Sequence, residues 1–491
     1  MALILDQLDR LGDEHPHKLL YSYLDLNGNP IEEYSYGSFL RRTQAIAAHL
    51  RNDHHFAAED RLLLAYPPGL EMICAFFGCV RAGLIPVPVY PPGSRGFQSA
   101  LYKMVHIAKD CQAAGILTSK DYHASLKTNL ARSGVSASGV DVDYISGLPW
   151  IVTEDFVDAI PVEPFSGTSN TLFLQYTSGS TMEPKGVIVT HQNILDTCPL
   201  VIDHPAPIVV SWLPQYHDMG LIGCYLYPAL RGGTTYGFAP TDFIQRPALW
   251  FEVMSTYRAS ATAAPNFAYD YCLRAGRLSK ESLEACDLSS LRVLMVAAEP
   301  VKPDTYTRFL EAFQSYGLKS ESFYAAYGLA ENTLAVSLGG RNIISVNKRA
   351  LALGGLVRLD PQTPQEQAAE GERGGVDGEP PAGVQDRDDH AGERGPDERA
   401  DTVGQLEDRI GLLLVADAHR LRDQGSRSRP EEGRRRAVAT RQCHRRRLAD
   451  VAHAQAIDEP VQADGPSRLD GGEQVADADF PRPLAVLQLL Q

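Results

Sequence analysis

The run Tyr176-Thr-Ser-Gly-Ser-Thr-Met-Glu-Pro-Lys-Gly186 gathers hydroxyls, glycines and one lysine into a single short stretch. Thr177, Ser178, Gly179, Ser180 and Thr181 are small enough for their backbone N–H groups to approach phosphate oxygens, and Lys185 adds a mobile positive charge. The order excludes a Walker A loop, which places Ser or Thr after its lysine, whereas Gly186 follows Lys185 here. Two further polar residues stand in apolar surroundings: His217, between Tyr216 and Asp218, and Glu331, at the end of Tyr327-Gly-Leu-Ala-Glu331. Each has a plainer reading when taken alone. A hydroxyl-rich run is often only a flexible loop, such a histidine is often a hydrogen-bonded core residue, and an isolated glutamate is usually a solvated surface group.

Positioning these residues requires rigid neighbours. Thr171–Gln175 reads as a buried strand ahead of the loop and Val187–Val189 as a strand behind it, with Thr190 opening a helix at His191. Leu62–Ala65, Ile208–Val210 and Arg292–Ala297 are further short apolar runs, of the kind buried on both faces in parallel sheets. Tyr306, Phe309, Leu310 and Phe313 fall at helical spacing, with Pro303 near the start and Gly317 at the stop. Strands alternate with helices over more than three hundred residues, which implies α/β layers with ligands at the strand ends.

The eleven-residue loop resembles the signature loop of the acyl-adenylate-forming superfamily, and neighbouring segments narrow the resemblance to fatty acyl-AMP ligases. Ser211-Trp-Leu-Pro-Gln-Tyr-His-Asp-Met-Gly-Leu-Ile-Gly223 is similar to the second core motif of that family, and Tyr324-Ala-Ala-Tyr-Gly-Leu-Ala-Glu331 to its third. Leu64–Leu70, Val87–Pro92, Ala264–Asp270 and Ala297-Ala-Glu-Pro300 also match, in family order, from about residue 30 to about residue 353.

The resemblance implies a chemistry. A fatty carboxylate attacks the α-phosphorus of ATP to give acyl-AMP and pyrophosphate, and the acyl group then passes to a carrier-protein thiol, on an acyl carrier protein or a polyketide synthase carrier domain. Such phosphoryl chemistry calls for cations and preorganised donors. By resemblance, Thr177, Ser178, Gly179, Ser180, Thr181 and Lys185 wrap the phosphates. His217 and Lys185 act on the reacting groups, Ala297, Ala298, Glu299, Tyr327 and Gly328 form the adenine pocket, and Glu331 holds Mg²⁺. The small residues of Ala259–Pro265 leave room for a hydrocarbon chain or for tight packing of helix on sheet. An acyl-CoA ligase is the enzymatic alternative, because only the start of the insertion that distinguishes the AMP ligases is present, at Asn342–Leu353. An amino-acid adenylation domain is disfavoured, since no motif supplies a carboxylate for the substrate ammonium. The alternative of another class is a non-catalytic remnant that binds nucleotide or acyl ligand without turnover.

The implied fold is a large α/β domain of two layered subdomains, spanning residues 1–170 and 171–353, followed in the family by a β-barrel and a mobile lid. The barrel and lid are expected to be missing or unfolded here. From Gly354 onward the sequence contains no Lys, Asn, Tyr, Trp or Met and a single aromatic, Phe480. Residues with A/T-rich codons are scarce and those with G/C-rich codons dominate, the composition expected when a GC-rich gene is translated in the wrong frame. Residues 354–491 therefore read as a low-complexity, disordered tail with too few large apolar side chains to offset ordering entropy. The family uses a Thr-Gly-Asp segment for the ribose hydroxyls and a late lysine at the reacting groups, whereas this chain has no lysine after Lys348. Little acyl-AMP formation is expected of it.

Composition bounds the rest. A formal charge of −15 argues against a general affinity for nucleic acid or anionic lipid. The Arg434–Arg436 and Arg445–Arg447 clusters lack interleaved aromatics, and Cys443-His444 lacks partners at metal-ligand spacing. No apolar run reaches the roughly 20 residues of a membrane span. Scattered cysteines and the absence of a basic segment before the N-terminal apolar residues fit a cytoplasmic protein.

Overall fold

A computed structural model describes residues 3–93, 96–132, 141–156, 170–177 and 184–347, together with the backbone of two short strands at 358–359 and 409–414. The strands in chain order are β1 (Leu19–Leu24), β2 (Pro30–Ser35), β3 (Arg61–Ala65), β4 (Ile85–Pro88), β5 (Gly115–Thr118), β6 (Trp150–Val152), β7 (Thr171–Thr177), β8 (Lys185–Thr190), β9 (Ile208–Ser211), β10 (Thr234–Gly237), β11 (Ala261–Pro265), β12 (Val293–Ala297), β13 (Phe323–Gly328), β14 (Ala335–Gly340), β15 (Asn342–Asn347), β16 (Arg358–Leu359) and β17 (Arg409–Leu414).

Two sheets organise the larger unit. The first has eight strands in the order β14-β13-β12-β11-β9-β10-β1-β2, and the second has four in the order β4-β3-β5-β6. All pairings within the second sheet are parallel. In the first, β13, β12, β11, β9, β10 and β1 run parallel, and the antiparallel strands β14 and β2 close the two edges. The sheets do not divide the chain at one point, because β1 and β2 from the N-terminal segment join the sheet that the later residues build. β7 and β8 form a separate antiparallel hairpin. The residues alone account for the parallel strands: β3, β9 and β12 are runs of Leu, Val, Ile and Met that are buried on both faces under the connecting helices.

The helices follow from local chemistry. Leu70–Ala82 is apolar nearly all round and lies buried, with Cys74 and Cys79 packed in it as free thiols. It stops at Gly83, whose φ of 76° only glycine adopts without strain. Pro303–Phe313 buries Tyr306, Phe309 and Phe313 on one stripe, and Gly317 then turns left-handed at φ 88°. Thr190 accepts the Asn193 N–H and so caps His191–Val201. Thr190→Ala should lower stability by about 1 kcal/mol, read from the denaturant midpoint at an unchanged slope.

The smaller unit, described by itself, is an antiparallel sheet in the order β16-β15-β17, with Asn342–Asn347 paired along its length to Arg409–Leu414. Two short stretches of the expected tail thus take strand conformation, and the rest of residues 354–491 lies outside the described residues. Among the described residues no helix is long and apolar enough to cross a membrane.

Candidate functional site

Adjacent parallel strands share a direction, so the carboxyl ends of β9, β11, β12 and β13 open on one edge of the large sheet. The segments leaving those ends are the motifs singled out above. Trp212–Asp218 follows β9, Asn266–Asp270 follows β11, Ala298-Glu299 follows β12, and Leu329–Glu331 follows β13. In open α/β sheets the carboxyl-end edge is the usual place for a ligand, because loop backbone and helix N-termini are exposed there, outside the core.

The segment after β9 is held most firmly. Trp212 is fully buried and stacks on Phe243, with ring centroids 4.1 Å apart and planes at 3°. Tyr216 meets Tyr90 edge-on at 5.4 Å. The Gln215 Oε1 accepts the Gly69 N–H at 3.1 Å, and the His217 N–H donates to the Pro214 carbonyl at 3.2 Å. The His217 ring Nδ1 lies 2.7 Å from Asp218 Oδ1, and its side chain is 42% exposed. Asp218 Oδ1 also accepts the Met219 N–H at 2.6 Å, which caps the π-helical stretch Met219–Leu226. Burial pulls the imidazole pKa down, but the hydrogen bond and charge of Asp218 outweigh it and raise it above the ordinary 6.5. The expectation for His217 left open a buried core histidine; the structure places a half-exposed ring at the strand edge, paired to a carboxylate.

The other predicted residues fall as follows. Ala297 ends β12 and is buried, while Ala298 is exposed with a positive φ of 70°. Glu299 Oε1 accepts the Phe267 N–H at 2.5 Å, satisfying a free donor at the start of the helix Asn266–Leu273. Burial raises its pKa, against the opposing hydrogen bond and the nearby Lys302. The Glu299 side chain therefore ties two strand ends together, leaving backbone to form any pocket wall. Tyr327, a residue that ordinary packing would bury, is 42% exposed at the end of β13. A Cβ on Gly328 would sit 2.0 Å from the Leu334 carbonyl oxygen, so only glycine fits there. Glu331 is exposed in the 3₁₀ turn Ala330–Asn332 and makes no hydrogen bond or ion pair with the described residues. That is a free carboxylate of the kind a hard cation takes alongside phosphate oxygens. No group of three or more His, Cys, Asp or Glu able to hold a metal occurs among the described residues.

The phosphate-loop hairpin is described only at its base. Thr177 and Lys185 pair across β7 and β8, and Lys185 is exposed with no ion pair among the described residues. Ser178, Gly179, Ser180 and Thr181 lie outside the described residues. The Tyr176 hydroxyl donates to Asp110 Oδ2 at 2.5 Å. Burial and this bond both push its pKa up, which keeps it protonated. Its ring covers Gly186, where an added Cβ would approach to 2.9 Å.

A cavity of about 20 Å³, room for about one water, lies at the ends of β3 and β4, lined by Leu64, Tyr66, Pro68, Met72, Val89, Gln215 and Tyr216. Its wall is braced by a chain of polar contacts. Arg42 pairs with Glu71 at 2.6 Å, Glu71 accepts the Thr153 hydroxyl at 2.6 Å, and Thr153 meets the Tyr66 hydroxyl at 2.8 Å. The sequence reading missed Asp218, Gln175 and Gln215 as site residues. Gln175 carried a signal, since it continues the inward face of Phe173 in an otherwise apolar strand.

Known proteins share this fold. The AMP-binding enzyme family matches residues 8–366. The chain is 33% identical over 343 residues to the medium-chain-fatty-acid–acyl-carrier-protein ligase JamA of Moorena producens, covering 68% of this chain and 56% of that protein. It is 32% identical over 360 residues to the 4-hydroxyphenylalkanoate adenylyltransferase of Mycobacterium marinum, covering 70% and 56%. A crystal structure of a fatty acyl-adenylate ligase from L. pneumophila, in complex with acyl adenylate and pyrophosphate, superposes with a TM-score of 0.64 at 33% identity. The match covers 74% of this chain and 62% of that one. The chain thus spans little more than half the length of these curated relatives. On that similarity, the chain belongs to the AMP-binding enzyme family.

Proposed function

We infer that this chain carries the adenylate-forming site of a fatty acyl-AMP ligase, which activates a fatty acid with ATP to acyl-AMP for transfer to a carrier-protein thiol. The observation that supports this most is the convergence of His217, Ala297–Glu299, Tyr327 and Glu331 on the carboxyl ends of β9, β12 and β13, three strands of one parallel run.

In this reading the exposed ring of Tyr327 packs on adenine, with the Ala297–Glu299 backbone as the facing wall. Lys185 and Thr177 stand at the mouth of the hairpin, where the loop Ser178–Thr181 wraps the phosphates. His217, charged over a wider pH range because of Asp218, faces the carboxylate and α-phosphate and stabilises the charge that develops as the acyl oxygen attacks. Glu331 is the residue to hold Mg²⁺, which when bound neutralises phosphate charge.

The polypeptide has no lysine after Lys348. One missing transition-state donor corresponds to about 2.7–4 kcal/mol. Turnover by this polypeptide alone should therefore be slow while binding persists. Mass-spectrometric detection of acyl-AMP after incubation with ATP, Mg²⁺ and fatty acids of graded length tests the reading. Trace, acid-dependent acyl-AMP supports it, and acyl-AMP formation as fast in the Lys185→Ala variant as in the native chain contradicts the assigned role of Lys185.

A further inference from the structure

Gln175 is 3% exposed at the end of β7, immediately before Tyr176 and the phosphate loop. Its Nε2 donates to the Tyr216 carbonyl at 3.0 Å and approaches the carbonyl of Tyr176 at 3.4 Å. The Tyr216 carbonyl belongs to the same peptide unit as the His217 N–H, and that N–H donates to the Pro214 carbonyl at 3.2 Å. The peptide plane from which His217 projects is therefore gripped on both sides, by Pro214 within its own turn and by Gln175 from the phosphate-loop hairpin. Two hydrogen bonds on opposite edges fix the rotation of a peptide unit, and with it the direction of the next Cα–Cβ bond.

Stability alone does not account for this side chain. The Gln175 Oε1 is buried with no partner among the described residues. An unpaired buried acceptor is unfavourable, and an apolar residue of the same shape would avoid it. The amide stands at a position where its neighbours Leu172 and Phe173 are apolar and buried.

We propose that Gln175 is a positioning residue that couples the phosphate-loop hairpin to His217, setting the distance between the group that holds the phosphates and the group that faces the acyl carboxylate. The proposal rests on the adenylate-forming reading above. It requires Gln175 to matter for a ligand that spans both halves of the site and not for a ligand that occupies only one.

The test is calorimetric titration of the full chain with AMP and with an unreactive acyl-sulfamoyl adenosine, for the native protein, Gln175→Met, His217→Ala and the double variant. Gln175→Met keeps the shape and removes the donor. It should lower the melting temperature by no more than a few degrees and leave AMP affinity within twofold of native, while weakening the acyl-adenylate analogue at least tenfold. His217→Ala should then weaken the analogue much less in the Gln175→Met background than in the native one, because the two residues act through one peptide unit. Gln175→Leu, shorter and also without a donor, should repeat the selective loss if the methionine variant fails to fold. Equal weakening of AMP and analogue, or additive losses in the double variant, overturns the coupling while leaving the adenylate reading intact. Failure of the native chain to bind the analogue at all overturns the adenylate reading itself.

Discussion

Gly220→Ala should nearly abolish acyl-adenylate chemistry at this site and lower the melting temperature by several degrees. A Cβ at Gly220 would lie 2.1 Å from the Pro214 carbonyl oxygen and 2.9 Å from its carbon, and both are backbone atoms that cannot rotate away. Forcing a methyl group into such a contact costs about 1–3 kcal/mol, even where the backbone yields. Here yielding is the damaging response. The Pro214 carbonyl is the acceptor that holds the His217 N–H, so any shift that relieves the clash swings the histidine. A misplacement of about 1 Å in reacting groups is enough to lose about 10²-fold in rate. Comparing the thermal midpoint with the affinity for the acyl-adenylate analogue checks both parts. A variant with native stability and native affinity would show that the turn is not held as described.

His217→Ala is the second large effect. It should reduce acyl-AMP formation about 10²–10³-fold, the range seen when one donor facing developing charge is removed, and leave AMP binding nearly unchanged. The pH dependence gives this a sign. The folded pKa of His217 is raised, because Asp218 outweighs burial, so stabilisation from the charged pair is complete below the unfolded value of about 6.5 and is lost as pH rises through the folded pKa. Asp218→Asn removes the opposing charge and leaves burial to act, which lowers the imidazole pKa. The alkaline limb of any activity that needs charged His217 should then move to lower pH, and histidine NMR titration should show the same displacement. An unmoved titration in Asp218→Asn would detach the pair from the site's chemistry.

Parallel strands were legible because their burial leaves an unmistakable trace, as in Leu62–Ala65 and Arg292–Ala297, where apolar runs appear with no polar alternation. The helix Pro303–Phe313 was legible for a matching reason, since its stripe and its glycine stop both lie within one short window. What sequence reasoning did not reach depends on contacts between distant segments. Nothing near Leu19–Ser35 announces that these residues close the edge of a sheet built mostly from residues 208–340. Asp218 was visible only as a neighbour of His217, although adjacency already allowed the ring contact that raises the pKa. The task of Glu299, capping the helix at Phe267, arises from two strand ends lying side by side and has no local signature. Tyr327 shows the opposite case: its motif was clear, yet its exposure could be read only once β13 was seen to end at the sheet edge.

The proposed function requires one edge of the large sheet to bind both halves of an acyl adenylate. Titrating the full chain with an unreactive acyl-sulfamoyl adenosine and with AMP, by calorimetry, measures this without requiring turnover. Saturable one-to-one binding is expected, with the acylated compound held at least tenfold more tightly than AMP and weakened by Tyr327→Ala. Equal affinity for the two compounds, or no binding of either, would contradict it.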